Sequence, residues 1–227
     1  AGSEAKKALF KKMCMDRTNT AYERLRNRTS VIMWSIGNEI DEGVSGSTTH
    51  YVDVARNIIN WIQEVDTSRP ITNGDNRKNT NPSAIISQIN QLIYESGGVV
   101  GMNYASNSQT VSMHNAYPNW PLYGSETASS IHSRGVYNVT GRDNTNLQMS
   151  EYDNDEAKVG WGHSASDAWS FVIQNDFNAG EFVWTGFDYI GEPTPWNGVG
   201  TGSVSGQGAK PNSSYFGIVD TAGFAKD

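Results

Sequence analysis

The sequence predicts a parallel α/β domain of the (β/α)8 barrel type, and three observations lead there. Short apolar runs alternate with amphipathic stretches along all 227 residues, the pattern of successive strand-helix units. The apolar runs lack polar alternation, as expected of strands covered on both faces. Polar residues close one run after another: Asn38 and Glu39, Asn73 and Asp75, Asn103 and Tyr104, Glu126, then Trp184 and Asp188. An open doubly wound sheet gathers its site at one switch point, whereas a closed barrel draws on many strand ends. The barrel is therefore the expected form. Five strands are legible, so three strand-helix units are expected before residue 1 and a final helix after residue 227.

The elements follow in order. Residues 3–26 read as a helix with Ser3 at its N-cap and Ala5, Leu9, Met13, Tyr22 and Leu25 near one face. Residues 31–36 are an unbroken apolar run and the first strand. Residues 49–65 place Tyr51, Ala55, Ile58, Ile62 and Val65 on one helical stripe, which the segment 66–70 closes with a proline. Residues 71–73 form a short strand. Asn81 and Pro82 suit the N-cap and first position of a helix that buries Ile85, Ile86, Ile89, Leu92 and Ile93. The third strand spans 99–104, a weaker helix 110–117, and the fourth strand 121–125. Residues 127–162 are polar and irregular, a length of loop that places them over a site. Ala168, Trp169, Val172, Ile173 and Phe177 mark a helix over 166–179, residues 181–185 the fifth strand, and 191–208 a Gly, Ser and Pro-rich loop.

Composition narrows the function. Seventeen Lys and Arg against 24 Asp and Glu give a net charge of −7, the wrong sign for a phosphate backbone, so nucleic acid is not an expected partner. No run approaches the roughly 20 apolar residues of a membrane span. One cysteine, Cys14, excludes an internal disulfide and a cysteine-based zinc site and is expected to be packed. No signal peptide is visible at residues 1–4, and the cellular location is left open. Seven Trp, ten Tyr and seven Phe suit a cleft that stacks on sugar rings, although aromatic residues more often simply fill a core.

Glu39 and Glu126 are the sharpest chemical candidates, because each ends an apolar strand where a carboxylate is costly unless it is used or paired. Two carboxylates across a cleft are the minimal apparatus of glycoside hydrolysis, one protonated to assist the leaving oxygen and the other ionised to meet positive charge at the sugar carbon. Salt bridges to arginine at a barrel rim are the structural alternative.

The stretch Ser30-Val-Ile-Met-Trp-Ser-Ile-Gly-Asn38-Glu39 resembles the acid/base strand, number four, of glycoside hydrolase family 2. Leu122-Tyr-Gly-Ser-Glu126-Thr-Ala-Ser129 is similar to that family's nucleophile strand, number seven. Residues 182–196 resemble the eighth strand and following loop of its bacterial β-galactosidases, and residues 215–224 the segment after that. Four motifs in the right order are a specific signal. The resemblance implies that residues 1–227 are the C-terminal portion of a TIM-barrel catalytic domain, about strands four to eight.

It also implies roles. Glu39 would act as general acid and then base, and Glu126 as the nucleophile of a retaining β-galactosidase that forms a covalent glycosyl intermediate. Asn38 would bind the sugar 2-hydroxyl, Tyr104 would orient the nucleophile, and Trp184 would floor the sugar pocket. Asp75 is a candidate for a galactose hydroxyl, while Asn73-Gly74-Asp75 reads equally well as a turn. Proximity of Glu126 and of aromatic surface is expected to keep Glu39 protonated until Glu126 is esterified. No cofactor is expected from these residues. Some relatives bind Mg²⁺ near the acid/base, through ligands outside this chain. The partners implied are a β-galactoside and the remaining parts of the barrel and other domains of the full-length enzyme, without which the 227 residues are expected to be inactive.

Alternatives within the family are a β-glucuronidase or β-mannosidase, although the loop 191–196 resembles the galactosidase branch more. A non-catalytic sugar-binding or structural fragment is the alternative outside it. Other signals are poor. Gly162-His163-Ser164-Ala165-Ser166 only approaches a nucleophile elbow, and 198–208 matches no phosphate-binding loop. His50, His114, His132 and His163 lack metal-ligand spacing.

Overall fold

The computed structural model of the chain describes residues 2–40, 50–130, 133–135, 142–143, 148–149, 161–190 and 213–226. The elements in order are α1 (Gly2–Leu25), β1 (Trp34–Asn38), α2 (His50–Val65), β2 (Ile71–Asp75), α3 (Ile85–Glu95), β3 (Val99–Asn103), α4 (Asn107–Ala116) and β4 (Leu122–Ala128). Then come β5 (Arg142–Asp143), β6 (Gln148–Met149), α5 (Ala165–Ile173), β7 (Asn178–Trp184), β8 (Tyr189–Ile190) and β9 (Ser213–Ser214). Five strands share a sheet in the order β1-β2-β3-β4-β7, while β5-β6 and β8-β9 are two-residue antiparallel ladders. Each expected strand is present. The expected loop 191–208 lies outside the described residues, as do residues 131–132, 136–141, 144–147 and 150–160 of the expected loop 127–162.

The chain divides into two compact units, Ala1–Met102 with Val111–Tyr123, and Asn103–Thr110 with Gly124–Asp227. In the first, β1 runs parallel to β2 with Trp34 opposite Ile71 and Asn38 opposite Gly74, and β2 runs parallel to β3 with Asp75 opposite Met102. Val100 N donates to Pro121 O at 2.9 Å, which starts β4 alongside. The core is aliphatic: Ile71, Ile86, Ile89, Ile93, Val100, Met102, Met113 and Leu122 are fully buried. Gly98 is required between β2 and α3, because a Cβ there would stand 2.2 Å from Ile71 O and 2.8 Å from Ile93 O.

Several burial expectations are corrected. Residues 31–36 do not form a strand covered on both faces. In this sheet β1 is the outermost strand, its residues are at most half-buried, and Ile32 is 59% exposed. Helix α1 has Ala5, Leu9, Met13 and Leu25 exposed, while the expected Tyr22 is half-buried and shares the inward line with Cys14 and Thr18. That line is about one position round from the expected one, and it leaves a cavity of about 280 Å³ among α1, α2 and β1. In α2 the buried set is Val52, Ala55, Ile59 and Ile62, so the expected Ala55 and Ile62 are buried while Tyr51, Ile58 and Val65 are half-buried. Helix α3 starts at Ile85 rather than Asn81, since Asn81 Oδ1 accepts from Ser83 N and spends its cap on a preceding turn.

In the second unit, Ser129 N donates to Trp184 O at 3.3 Å and Thr127 Oγ1 to Phe182 O at 3.3 Å, joining β4 to β7. Helix α5 is capped by Ser164, whose oxygen accepts from Asp167 N, and it ends at Ile173. The expected extension to 179 fails because Asn175 Nδ2 takes the Phe171 carbonyl at 2.6 Å and also donates to Asn107 Oδ1. Phe177 therefore lies beyond the helix, and Trp169 and Ile173 are 53% and 64% exposed. Beyond β7, the buried Asp188 accepts from Lys226 Nζ at 2.7 Å and from Gly217 N at 2.8 Å. Burial pushes the Asp188 carboxyl up, against the pull of Lys226.

Two stability predictions follow from these ties. Asp66 accepts from Trp34 Nε1, Arg69 Nη1 and Ser68, which link the end of α2 to β1. Burial alone raises its carboxyl, but the hydrogen bonds from Ser68, Trp34 and Arg69 together outweigh that and hold it well below the usual carboxylate range. Stability from such a group is present above its unfolded value of about 3.9 and is lost as pH falls through the folded one. Asp66→Asn should lower Tm at neutral pH and flatten the further loss below about pH 4, as read by thermal melts across that range. Lys226→Met should cost about 3–5 kcal/mol in urea unfolding, because it strands Asp188 without its cation.

Candidate active site

The last residues of β1 and β3 end their strands the same way. Glu39 follows Asn38 with φ 49°, and Tyr104 follows Asn103 with φ 53°, both in the left-handed region that side chains rarely adopt. Each nevertheless keeps its N–H in the ladder: Glu39 N donates to Gly74 O at 2.9 Å, and Tyr104 N to Glu126 O at 2.7 Å. Non-glycine residues in this conformation cost on the order of 1–3 kcal/mol and concentrate at functional sites.

In the first unit, Glu39 is half-buried beside the exposed Asn38. Its neighbour is the turn after β2. Asp75 is fully buried there, with Oδ1 accepting from Arg77 N at 2.6 Å and Lys78 N at 3.1 Å, and Oδ2 accepting from Asn90 Nδ2 at 2.8 Å. Asn90 Oδ1 in turn accepts from Asn73 Nδ2. Of the two readings of Asp75, this geometry is the turn. Both oxygens accept hydrogen bonds and the side chain is buried, so in this structure Asp75 holds the loop.

Lys78, at φ 47°, is half-buried at the end of that turn, and its Nζ donates to Asn76 O at 2.8 Å. Burial pushes its ammonium down, opposed by attraction to Asp75 and to Glu39. Lys78 was not singled out from the sequence. Its only signal there is a basic pair, Arg77-Lys78, straight after a strand-end aspartate.

In the second unit, Tyr104 Oη donates to Glu126 Oε2 at 2.5 Å. Backbone and side chain of Tyr104 thus both hold Glu126. Ser125 Oγ, one residue earlier on β4, donates to Asn103 Oδ1 at 2.7 Å and ties the same two strand ends again. Ser125 was likewise missed, because a cross-strand partner depends on register and is not written in local pattern. Trp184 ends β7 half-buried, with its carbonyl taking Ser129 N and its peptide to Thr185 cis. Glu39 and Asn38 therefore sit in one unit, and Tyr104, Glu126 and Trp184 in the other.

The weaker motifs have structural uses. Ser164 caps α5, and His163 packs edge-on against Phe171 at 5.2 Å. Among the described residues no three His, Cys, Asp or Glu side chains gather as a metal site, so no step is assigned to Mg²⁺.

Known proteins give the arrangement its family. The model of the glycosyl hydrolases family 2 TIM barrel domain matches residues 2–217. The beta-galactosidase BoGH2A of Bacteroides ovatus is 31% identical across 90% of this chain and 26% of its own length. A Formosa agariphila protein named as a beta-glucuronidase is 28% identical across 90% of this chain and 19% of its own. A solved family 2 glycosyl hydrolase from Bacteroides cellulosilyticus superposes with a TM-score of 0.57 at 27% identity, over 81% of this chain and 18% of that one. The chain thus spans about a quarter or less of the length of these relatives, as a partial barrel does. With strand-helix alternation, strand-end carboxylates and a family match over nearly every residue, this chain belongs to the TIM-barrel domain of the family 2 glycosyl hydrolases.

Proposed function

We propose that the full-length protein is a retaining β-galactosidase that acts by double displacement, with Glu126 as nucleophile and Glu39 as acid/base. The observation that carries this is the hydrogen bond from Tyr104 Oη to Glu126 Oε2. A phenol that donates to a carboxylate favours its ionised form and fixes the direction of its other oxygen, as attack on an anomeric carbon requires.

In the first step Glu126 attacks the sugar carbon while Glu39, protonated, gives its proton to the leaving oxygen. In the second, Glu39 as a carboxylate takes a proton from water, which attacks the same carbon and releases Glu126. Retention needs the two carboxyl groups about 5 to 5.5 Å apart. Asn38 is assigned to the sugar 2-hydroxyl and Trp184 to the pocket floor. The β-galactosidase among the relatives and the loop 191–196 support galactose, while the relative named as a beta-glucuronidase makes a glucuronide the second reading. Hydrolysis rates on matched galactoside, glucuronide and mannoside substrates separate these readings.

Glu39→Ala and Glu126→Ala in the full-length enzyme should each lose most activity, on the order of 10³-fold or more. Azide should restore turnover of an activated galactoside in both, giving the β-azide from the Glu39 variant and the α-azide from the Glu126 variant. Near wild-type rates in either variant would remove these assignments. Tyr104→Phe should lower kcat by about 10- to 100-fold, the value of one charge-assisted hydrogen bond, with the protein still folded by circular dichroism.

A further inference from the structure

Two residues past Glu126 the chain turns in an uncommon way. Ala128 and Ser129 are consecutive left-handed residues, with φ 61° and 63°, and both are buried. Such a pair persists only where its surroundings hold it in place. Three hydrogen bonds do so here. His163 N donates to Ala128 O at 2.7 Å, Ser130 Oγ donates to His163 O at 3.0 Å, and Ser129 N donates to Trp184 O at 3.3 Å. The turn is thus joined both to residues 162–163 and to the end of β7.

Gly162 makes this joint possible. It is buried, and a Cβ in its place would stand 2.7 Å from Ala128 O, 3.0 Å from Ser129 Cβ and 3.1 Å from Ser129 O. The two oxygens belong to the backbone, which cannot swing aside as the tip of a flexible side chain can. The Ser129 hydroxyl is buried without a hydrogen-bond partner, so the turn is fixed through its backbone rather than through that side chain.

We propose that Gly162 is a positioning residue for sugar binding: it lets residues 162–163 close on the Ala128–Ser129 turn, which fixes the backbone of Trp184 and with it the floor of the sugar pocket. The inference rests on the assignment of Trp184 to that floor. Gly162 touches no sugar atom in this scheme. The bonds also say which end gives way when the turn is disturbed. Glu126 is held from β3 by Tyr104 N at 2.7 Å and Tyr104 Oη at 2.5 Å, whereas Trp184 is joined to the turn by a bond of 3.3 Å. The longer bond is the weaker one, so the Trp184 end yields first. A methyl group at position 162 therefore loosens the floor while the nucleophile stays in place. Loss of a contact made equally to bound substrate and to transition state raises KM and leaves kcat.

The test measures KM and kcat on a β-galactoside, and the Ki of an alkyl β-thiogalactoside that resists cleavage, with the full-length enzyme. Gly162→Ala should raise KM and Ki by about tenfold and keep kcat within about twofold of the wild type. In a Trp184→Ala background the same substitution should add less than about twofold, because the residue it acts through is gone. Should Gly162→Ala fail to fold by circular dichroism, Ser129→Gly carries the test, since glycine frees the left-handed turn; KM and Ki should rise about threefold, and not in the Trp184→Ala background. An unchanged Ki in the folded variant overturns the proposal, as does a rise that persists undiminished without Trp184, or a fall in kcat at unchanged KM. Trp184→Ala alone keeps the two ideas apart. Wild-type affinity for the thiogalactoside in that variant removes the floor assignment and this inference with it, whereas weak binding there beside normal binding in Gly162→Ala refutes only the role of Gly162.

Discussion

A strand that must present a reactive side chain faces a conflict between staying in its ladder and turning out of it. Glu39 and Tyr104 resolve it identically. Each donates its N–H to the neighbouring strand while its own φ swings into the left-handed region, so the hydrogen bond is kept and the chain leaves the sheet at that residue. The conformation costs on the order of 1–3 kcal/mol per residue, and the ladder bonds together with the buried aliphatic layer below offset it. Glycine would relieve the strain and remove the side chain. The side chains that matter are consequently referenced to strands, the stiffest parts of the fold, rather than to loops.

The same economy explains how Glu126 and Glu39 come to have different surroundings. Glu126 is gripped from β3 by both the backbone and the phenol of Tyr104. Glu39 meets the turn after β2, where Asp75 is consumed by backbone N–H groups and Lys78 supplies positive charge. One carboxylate is held by a neutral donor and the other sits in a mixed field of charges.

The order and type of the elements were readable because strand runs and helical stripes are local patterns, and all five sheet strands stand where periodicity put them. Burial was less legible. The apolar run at 31–36 predicts a covered strand, yet β1 is outermost in this sheet and Ile32 is exposed. The inward line of α1 lies about one position round from the expected one, and in α2 Val52 and Ile59 are buried beside the expected Ala55 and Ile62, since the stripe fixes a face only to within a residue. Helix α5 stops early, at Ile173, where the Asn175 side chain donates to the Phe171 carbonyl, a bond that no hydrophobic pattern encodes. Strand-end polarity marks Glu39 and Glu126 as candidates, and the family resemblance adds Asn38, Tyr104 and Trp184; the structure puts all five at or just beyond the ends of sheet strands. Ser125 is not legible in local pattern because its partner, Asn103, lies on another strand, and the turn that Asp75 makes with Arg77 and Lys78 is visible only in the structure.

The account stands or falls on which carboxylate becomes bonded to the sugar. Incubation of the full-length enzyme with an activated 2-deoxy-2-fluoro-β-galactoside, followed by proteolysis and peptide mass mapping, reads this directly. A fluorogalactosyl mass on the peptide that contains Glu126, absent from the Glu126→Gln protein, is the predicted result. Stoichiometric label on any other carboxylate, with Glu126 unmodified, would contradict it.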